Sequence, residues 1–303
     1  MNNPLVTFGD WENKPAVFSC QNTEYLSLNI STRKYNSVVL NGVGDKEVWS
    51  NPKNFDFYDL GLSNTYKAQY SSLFTGDIKV YFNGGLGDVH SLLIYRTVGA
   101  GTTNNGDKLN IPNLSVFLKQ FPNLYSFAIN YYAYNIDEAR TNILGDLATI
   151  PDNIELVRLS NIGFTNAPSN FYLDLNNFSN TSKLKKLYHS GGFNVPYNNL
   201  KIVGDIAKLP PKVNFFRIEK FHSTSSIYYT KGRIWEADFD TFYITKSLTQ
   251  IENDNILIDL NNSVRTATGG KLIFLKGTRS ATVVVDEAIL GLQSKGFTVT
   301  ITA

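Results

Sequence analysis

Cysteine, methionine, histidine and long apolar runs are scarce in this sequence. The 303 residues contain one cysteine, one methionine and three histidines. The single Cys20 excludes an intramolecular disulfide framework and two-cysteine redox chemistry. No stretch reaches the roughly 20 consecutive apolar residues that a membrane-spanning helix needs. The first residues also lack the basic and apolar regions of a secretory signal. We therefore expect a protein that is made in a cytoplasm and does not insert into a membrane.

Positive charge is not concentrated anywhere in the chain. The formal net charge is +2, and no basic run exceeds the "KLKK" at residues 183–186. Proteins that bind nucleic acid through its phosphates usually carry a basic patch or stripe. The sequence therefore favours partners other than nucleic acid.

The residues that usually mark a catalytic or cofactor site are also missing. His90, His189 and His222 stand alone, without the HExxH or cysteine spacing of a zinc site. The glycine-rich stretches at 84–91 and 268–272 lack the Lys-Ser/Thr pair of a phosphate-binding loop, and no G-x-S-x-G motif is present. No spacing selects a pair of catalytic carboxylates. We expect no metal, no cofactor and no catalytic residues.

What is abundant is a β-forming composition and an internal repeat. Seventeen tyrosines and 20 phenylalanines favour strands, and the frequent asparagines favour turns. Residues 143–159 read "ILGDLATIPDNIELVRL", and residues 202–218 read "IVGDIAKLPPKVNFFRI". Six of these 17 positions are identical, and most of the others exchange one apolar residue for another.

A short strand pattern, apolar-x-x-apolar-x-apolar, recurs with a nearly constant period. The last positions of its copies lie 35, 30, 30 and 29 residues apart, and weaker copies end at Leu260 and Ile301. One such unit cannot bury its apolar face alone, so the units stack and share a core. The period predicts a leucine-rich-repeat-like solenoid, α/β or mainly β, with one parallel sheet and about 29–30 residues per repeat. The copies are Val89/Leu92/Ile94, Leu124/Phe127/Ile129, Ile154/Val157/Leu159, Leu184/Leu187/His189 and Val213/Phe216/Ile218.

The period divides the chain into two predicted domains. Residues 1–75 lack it and contain short β-type runs, which predict a β-rich cap or attachment domain. Residues 76–303 form the predicted solenoid. A gap in the period indicates an insertion near 220–243, and insertions in solenoids often project from one face and bind partners. Tyr228, Tyr229 and Trp235 are its candidate binding residues.

The strand pattern also predicts which side chains point away from the core. Because side chains alternate along a strand, Arg158, Tyr188 and Arg217 should share the middle outward column of consecutive repeats. Tyr95 lies in a flanking column. Arginine and tyrosine are enriched where proteins hold partners. These four residues are therefore candidates for ligand binding, although a solvated face or a contact with a neighbouring subunit would also explain them.

The repeat and the C-terminal stretch carry a resemblance to a known group of proteins. After the "GD-Φ-A-x-Φ-P-x-x-Φ" repeat come "SLTQIENDNILIDLNN" (residues 247–262) and "DEAILGLQSKGFTVTITA" (residues 286–303). These stretches resemble leucine-rich-repeat proteins encoded by bacteriophages of Bacteroidetes hosts, in which similar segments close the solenoid. The resemblance covers about residues 75–303 and implies a virion-associated fibre or adhesin. His189 departs from the pattern, which has an apolar residue at that position.

These observations together predict a non-enzymatic phage virion protein of fibre or decoration type, located in the virion. Its expected partners are other virion proteins and a glycan or protein of the host surface, and homo-oligomerisation is left open. Two alternatives from other classes are a bacterial adapter that binds another protein, and a tail-associated enzyme that processes polysaccharide. Copurification with particles distinguishes the first reading from the adapter, and activity on capsular polysaccharide would identify the enzyme.

Overall fold

In a computed structural model, the described part of the chain is mainly parallel β-sheet with few helices. By compactness the chain divides into two units, Met1–Leu144 and Gly145–Ala303. The boundary between the two predicted domains, at residues 75 and 76, stays a prediction. The described residues are 16–32, 38–41, 46–49, 64–82, 86–97, 109–132, 141–160, 171–190, 200–265 and 271–303.

The first unit combines antiparallel and parallel strands. Strand β1 pairs in antiparallel fashion with β4, β5 and β6, while β2 and β3 pair with β4. The pairs β5–β7 and β6–β8 are parallel. Because β1 pairs directly with β5, the first two predicted repeat strands belong to this unit. Its elements are β1 (Ala16–Thr32), β2 (Val38–Asn41), β3 (Lys46–Trp49), β4 (Asn64–Phe82), β5 (Val89–Thr97), β6 (Leu109–Ile111), α1 (Leu114–Leu118), β7 (Ser126–Tyr132) and β8 (Thr141–Ile143).

The second unit contains two parallel sheets that share one period. In the main sheet the order is β10–β12–β14–β16–β17–β18, and in the smaller sheet it is β9–β11–β13–β15. The predicted strands near 156–160, 186–190 and 215–219 are present and parallel. The elements are β9 (Gly145–Asp146), β10 (Leu156–Ser160), β11 (Phe171–Asp174), β12 (Lys186–Ser190), β13 (Lys201–Asp205), β14 (Phe215–Ile218), β15 (Ser226–Tyr228), β16 (Thr241–Leu248), α2 (Gln250–Ser263), β17 (Lys271–Gly277), α3 (Val283–Ser294) and β18 (Phe297–Thr302).

The return segments between main-sheet strands change character along this unit. The early ones consist of a short strand of the smaller sheet followed by a single 3-10 turn, at Leu147–Thr149, Leu175–Asn177 and Ile206–Lys208. The later ones are the helices α2 and α3. Helix α2 begins with a capping box in which Thr249 and Glu252 satisfy each other's backbone N–H groups. The predicted weak strand copy at Ile258/Leu260 is therefore wrong, because both residues lie in α2.

The core of the second unit lies beneath the main sheet, where inward side chains form two continuous columns. One column is Val157, Leu187, Phe216, Phe242 and Ile273, all buried. His189 occupies a buried position in the other column, as its place in the repeat predicts. Its Nδ1 lies 3.3 Å from the carbonyl oxygen of Leu159 on the neighbouring strand. A polar side chain at this depth is tolerated when it has a hydrogen-bonding partner.

The "GD" of the repeat precedes two of the three 3-10 turns, and Leu173 and Asp174 precede the third. Gly145 and Gly204 adopt positive φ angles of 122° and 99°, which residues other than glycine rarely adopt. A Cβ on Gly204 would lie 2.6 Å from Nδ2 of Asn176. The following aspartate caps the turn, since Asp205 Oδ1 accepts a hydrogen bond from Ala207 N at 2.9 Å. Each "GD" copy thus supplies a glycine for the positive φ angle and an aspartate that caps the turn.

The capping aspartates also connect consecutive repeats. Asp146 Oδ1 accepts from Asp174 N at 3.0 Å, and Asp205 Oδ1 accepts from Thr230 N at 3.0 Å. Each carboxylate therefore satisfies one backbone N–H of its own turn and one of the next repeat. Burial raises the pKa of Asp146 above its usual value, while its hydrogen bonds act in the opposite direction.

Asp174 provides a natural control for this connecting role, since it caps its own turn through Asn176 N. We expect Asp205→Ala to lower the free energy of unfolding by about 2 kcal/mol, and Asp174→Ala by about 1 kcal/mol. The difference arises because Asp205 is buried and holds two backbone donors. Urea denaturation followed by circular dichroism measures both. Equal losses would show that the connection between repeats contributes nothing.

Candidate functional site

The outward face of the main sheet carries a row of planar side chains. Arg158 on β10 is in register with Tyr188 on β12, which is in register with Arg217 on β14. The predicted column is therefore confirmed as a geometric feature. It continues through Tyr243 on β16 and Phe274 on β17. These five residues are called the Arg–Tyr row below.

The members of the Arg–Tyr row stack on one another along the sheet. The guanidinium carbon of Arg158 lies 4.8 Å from the ring centre of Tyr188, and that of Arg217 lies 5.7 Å from the same ring. Arg217 also lies 4.7 Å from the ring centre of Tyr243. The rings of Tyr243 and Phe274 are stacked, with centres 4.5 Å apart and planes 17° from parallel. Each such cation–π contact stabilises by about 0.5–1 kcal/mol near a surface.

This stacking decides which parts of the row can meet a ligand. The face of the Tyr188 ring is approached by guanidinium groups from both neighbouring strands. A ring covered in this way cannot lie flat against a sugar or a base. The groups of the row that point outward are the phenol hydroxyls and the guanidinium N–H groups at the edges of the stacked planes. They are directed hydrogen-bond donors, and those on neighbouring strands are about 4.8 Å apart.

An ion pair holds the central arginine in place. Arg217 Nε donates to Glu219 Oε1 at 2.7 Å, and a terminal nitrogen of the same guanidinium lies 2.5 Å from that oxygen. Both side chains are about a quarter to a third exposed, at 23% for Glu219 and 34% for Arg217. The pair orients the guanidinium plane between the two tyrosines and leaves part of its edge accessible.

An apolar strip and a further cation flank the row. Leu156 and Phe215 point to the same outward face as the row, yet both are buried. The ring of Phe215 lies 6.4 Å from that of Tyr188. Lys186 on β12 lies in register between Leu156 on β10 and Phe215 on β14. Around Arg158, Tyr188 and Arg217, the face therefore combines an apolar floor with the cations of Arg158, Lys186 and Arg217 and the carboxylate of Glu219. Such a surface favours an anionic ligand that also carries apolar groups.

The structure places the predicted insertion residues differently from the sequence analysis. Tyr228 is 45% exposed, whereas Tyr229 is 4% and Trp235 is 2% exposed. The expectation that Tyr229 and Trp235 bind a partner is therefore corrected, because their side chains belong to the core. The segment does not project. It adds β15 to the smaller sheet and buries the side chains of Tyr229 and Trp235, while Tyr228 stays exposed. Tyr95 lies in β5, paired with Asn130, and its side chain is outside the described part of the structure.

Tyr229 belongs to a buried polar cluster with Asp259 of α2. Its hydroxyl donates to Asp259 Oδ2 at 2.9 Å, and the same oxygen accepts from Gly232 N at 2.6 Å. Burial, and then the adjacent carboxylate, raise the pKa of Tyr229 above its usual value. The phenol thus stays protonated and acts as a structural donor. Asp259 is buried in α2, one residue before the Leu260 at which a weak strand copy was predicted to end.

Two kinds of feature are absent from the described residues, a metal-binding cluster and a membrane-spanning helix. No group of three or more His, Cys, Asp or Glu side chains there is arranged to hold a metal ion. None of the helices in those ranges has the length and apolar character to cross a membrane. Neither a family model, nor a curated protein, nor a solved structure matches this chain.

Proposed function

We propose that this chain is a leucine-rich-repeat-like solenoid that binds a ligand through the Arg–Tyr row and catalyses no reaction. The solenoid interpretation is supported by the register of the main sheet. Leu156 pairs with Lys186, and Lys186 pairs with Phe215, so successive strands are 30 and 29 residues apart. The capped 3-10 turns, which begin at Leu147, Leu175 and Ile206, recur after 28 and 31 residues, close to the same period.

The stacked row is the observation that carries the binding proposal. Its charged and hydroxyl edges point away from the core, and its members are half-buried rather than fully solvated. Guanidinium groups hydrogen-bond carboxylates and phosphates with two parallel donors. We therefore propose a ligand that bears carboxylate or phosphate groups and contacts several repeats at once. An acidic glycan of the host cell surface has this chemistry.

The setting of this function is a phage virion, in a fibre or decoration protein. It rests on the resemblance of residues 247–262 and 286–303 to phage-encoded repeat proteins. Mass spectrometry of gradient-purified particles tests the setting directly. A virion protein is retained at constant stoichiometry through the gradient, whereas an adapter of the bacterium is washed away.

Single substitutions in the row test the binding face. We expect Arg158→Ala, Tyr188→Ala and Arg217→Ala each to weaken binding of the purified protein to host cells by about 1–3 kcal/mol, the usual range for an interface anchor. Tyr188→Phe keeps the stack and removes the hydroxyl. Because the row presents edges, this variant should show most of the loss seen for Tyr188→Ala. Binding isotherms with fluorescently labelled protein provide the measurement.

Tyr228→Ala is the matched control, since Tyr228 is the exposed aromatic of the alternative site. It should leave binding unchanged. All variants should stay folded at the assay temperature, although the alanine variants of the row should lose about 0.5–2 kcal/mol of stability with their cation–π contacts. Binding should also weaken as salt is added, because exposed charges are screened. Full binding by all three alanine variants, or a loss confined to Tyr228→Ala, would remove the row as the binding face.

A further inference from the structure

Within the described residues, the main sheet ends at β18. β18 pairs in parallel with β17 over six residues, from Lys271 opposite Phe297 to Lys276 opposite Thr302. Among the described strands, β17 is its only neighbour. In a strand paired on one side, alternate backbone N–H and C=O groups point outward without a strand partner. β18 therefore presents a row of backbone hydrogen-bonding groups.

β18 lacks the devices that usually protect such an edge. Its sequence "FTVTIT" contains no charge, no proline and no glycine, and five of the six residues are β-branched. The pairing with β17 runs without a register shift, so no bulge turns the edge away. Val299 and Ile301 are only half-buried, while Ile273 and Leu275, beside them on β17, are completely buried. The inward apolar column is thus incomplete at this edge.

The alternation along β18 makes it complementary to itself. Thr298, Thr300 and Thr302 lie on the outward face, and Val299 and Ile301 lie on the core face. In an antiparallel pair, residues directly opposite each other share a face. A two-fold axis through Thr300 places Thr298 against Thr302 of the partner subunit, and Val299 against Ile301 of the partner subunit. A shift by one residue would place threonine against valine and mismatch the two faces.

We propose that two copies of this chain associate by antiparallel pairing of their β18 strands, with the two-fold axis at Thr300. The second copy is the occupant because it supplies threonine opposite threonine and apolar side chains opposite apolar side chains. The strand carries no charge, so no like charges are brought together. The pairing rests on the β18 edge alone and does not depend on the ligand of the Arg–Tyr row. Because the two-fold axis is perpendicular to the sheet, the Arg–Tyr rows of the two copies would lie on the same side of the joined sheets.

A cross-linking experiment tests both the pairing and its register. The variant Thr300→Cys is made in a Cys20→Ser background, so that position 300 carries the single thiol. Mild oxidation or a short bis-maleimide should convert most of the protein to a covalent dimer of twice the 33.9 kDa chain mass. Ser247→Cys on the interior strand β16 is the matched control and should remain a monomer under denaturing conditions. Equal cross-linking at both positions, or none at 300, would overturn the proposal.

Charge substitutions at the axis provide a second, independent test by light scattering after size exclusion. The wild type should elute as a dimer. Thr300→Lys and Thr300→Glu should each be monomeric, because the axis brings each introduced charge against its own copy. An equimolar mixture of the two should recover the dimer through opposite charges. Ser247→Lys adds the same charge away from the edge and should stay dimeric. A monomeric wild type, or a mixture that remains monomeric although both variants are folded, would refute the pairing.

Discussion

Trp235→Ala is expected to lower the free energy of unfolding by about 3–5 kcal/mol, the range found for removing a large buried aromatic side chain. Trp235 is 2% exposed and lies at the centre of an aromatic cluster. Its ring makes edge-to-face contacts with Phe239 at 4.9 Å and Phe242 at 5.5 Å, and lies nearly parallel to Tyr229 at 6.3 Å. Alanine would leave a cavity against all three rings. Urea denaturation followed by far-ultraviolet circular dichroism measures the loss.

The adjacent residue gives a control for this prediction. Ile234 is 84% exposed, so Ile234→Ala removes apolar area that is already in water. It should change stability by less than about 0.5 kcal/mol. If Trp235→Ala proved as mild as Ile234→Ala, the segment from 220 to 243 would not be part of the core. Its aromatic residues would then return as candidates for binding.

The same comparison shows why the sequence misplaced this segment. Tyrosine and tryptophan are enriched both in binding surfaces and in cores, so their identity does not separate the two roles. The close spacing of Trp235, Phe239 and Phe242 indicates a buried segment, because three large aromatic residues so near each other in sequence rarely all face water. The gap in the period suggested an insertion. In the structure, the smaller sheet fills that gap with β15.

The strand columns could be predicted from two patterns in the sequence. The alternation of apolar and polar residues predicts which side chains point outward, and the period of 29–30 residues predicts which strands are neighbours. They placed Arg158, Tyr188 and Arg217 in one column. Tyr243 and Phe274 were missed because the next repeat strand was assigned to Ile258 and Leu260. A run such as "ILIDL" satisfies the strand pattern locally, and short apolar runs are ambiguous between strand and helix. The capping box at Thr249 and Glu252 was the signal that favoured the helix.

The chemistry of the row depends on a feature that no sequence pattern provides. Sequence alternation predicts which side chains share a face, but not whether their planes lie flat or stack on edge. The ion pair between Arg217 and Glu219 fixes the guanidinium between two tyrosines, and that arrangement covers the ring faces. A row with exposed ring faces would favour sugar stacking. The row observed favours anionic groups that accept hydrogen bonds from its edges.

Arg233→Met is the second substitution with a large expected effect, about 2–4 kcal/mol of lost stability. The guanidinium of Arg233 donates to the carbonyl oxygens of Ala207 and Pro210, both at 2.8 Å, and to that of Leu209. Ala207 lies in the 3-10 turn of the preceding repeat, and Leu209 and Pro210 follow that turn directly. The last carbonyls of a helical turn need partners from outside the turn, and the guanidinium supplies them here. Burial lowers the pKa of Arg233 to about 10, so the group remains charged at neutral pH. Hydrogen bonds from a charged donor contribute about 1.5–3 kcal/mol each, and removing a buried charge offsets part of that loss.

Two comparisons make the Arg233 prediction specific. Lys231→Met removes a charge from an exposed neighbour and should be nearly neutral. Arg233→Lys retains the charge, but a single ammonium cannot reproduce the planar fork that reaches three carbonyls, so it should recover only part of the stability.

Arg233 also covers the ring of Trp235 at 4.3 Å. The double variant with Trp235→Ala should therefore lose less than the sum of the single losses, by about 0.5–3 kcal/mol. Strict additivity in urea denaturation would mean that the arginine and the aromatic cluster stabilise the fold independently, and that Arg233 acts only by closing the preceding turn.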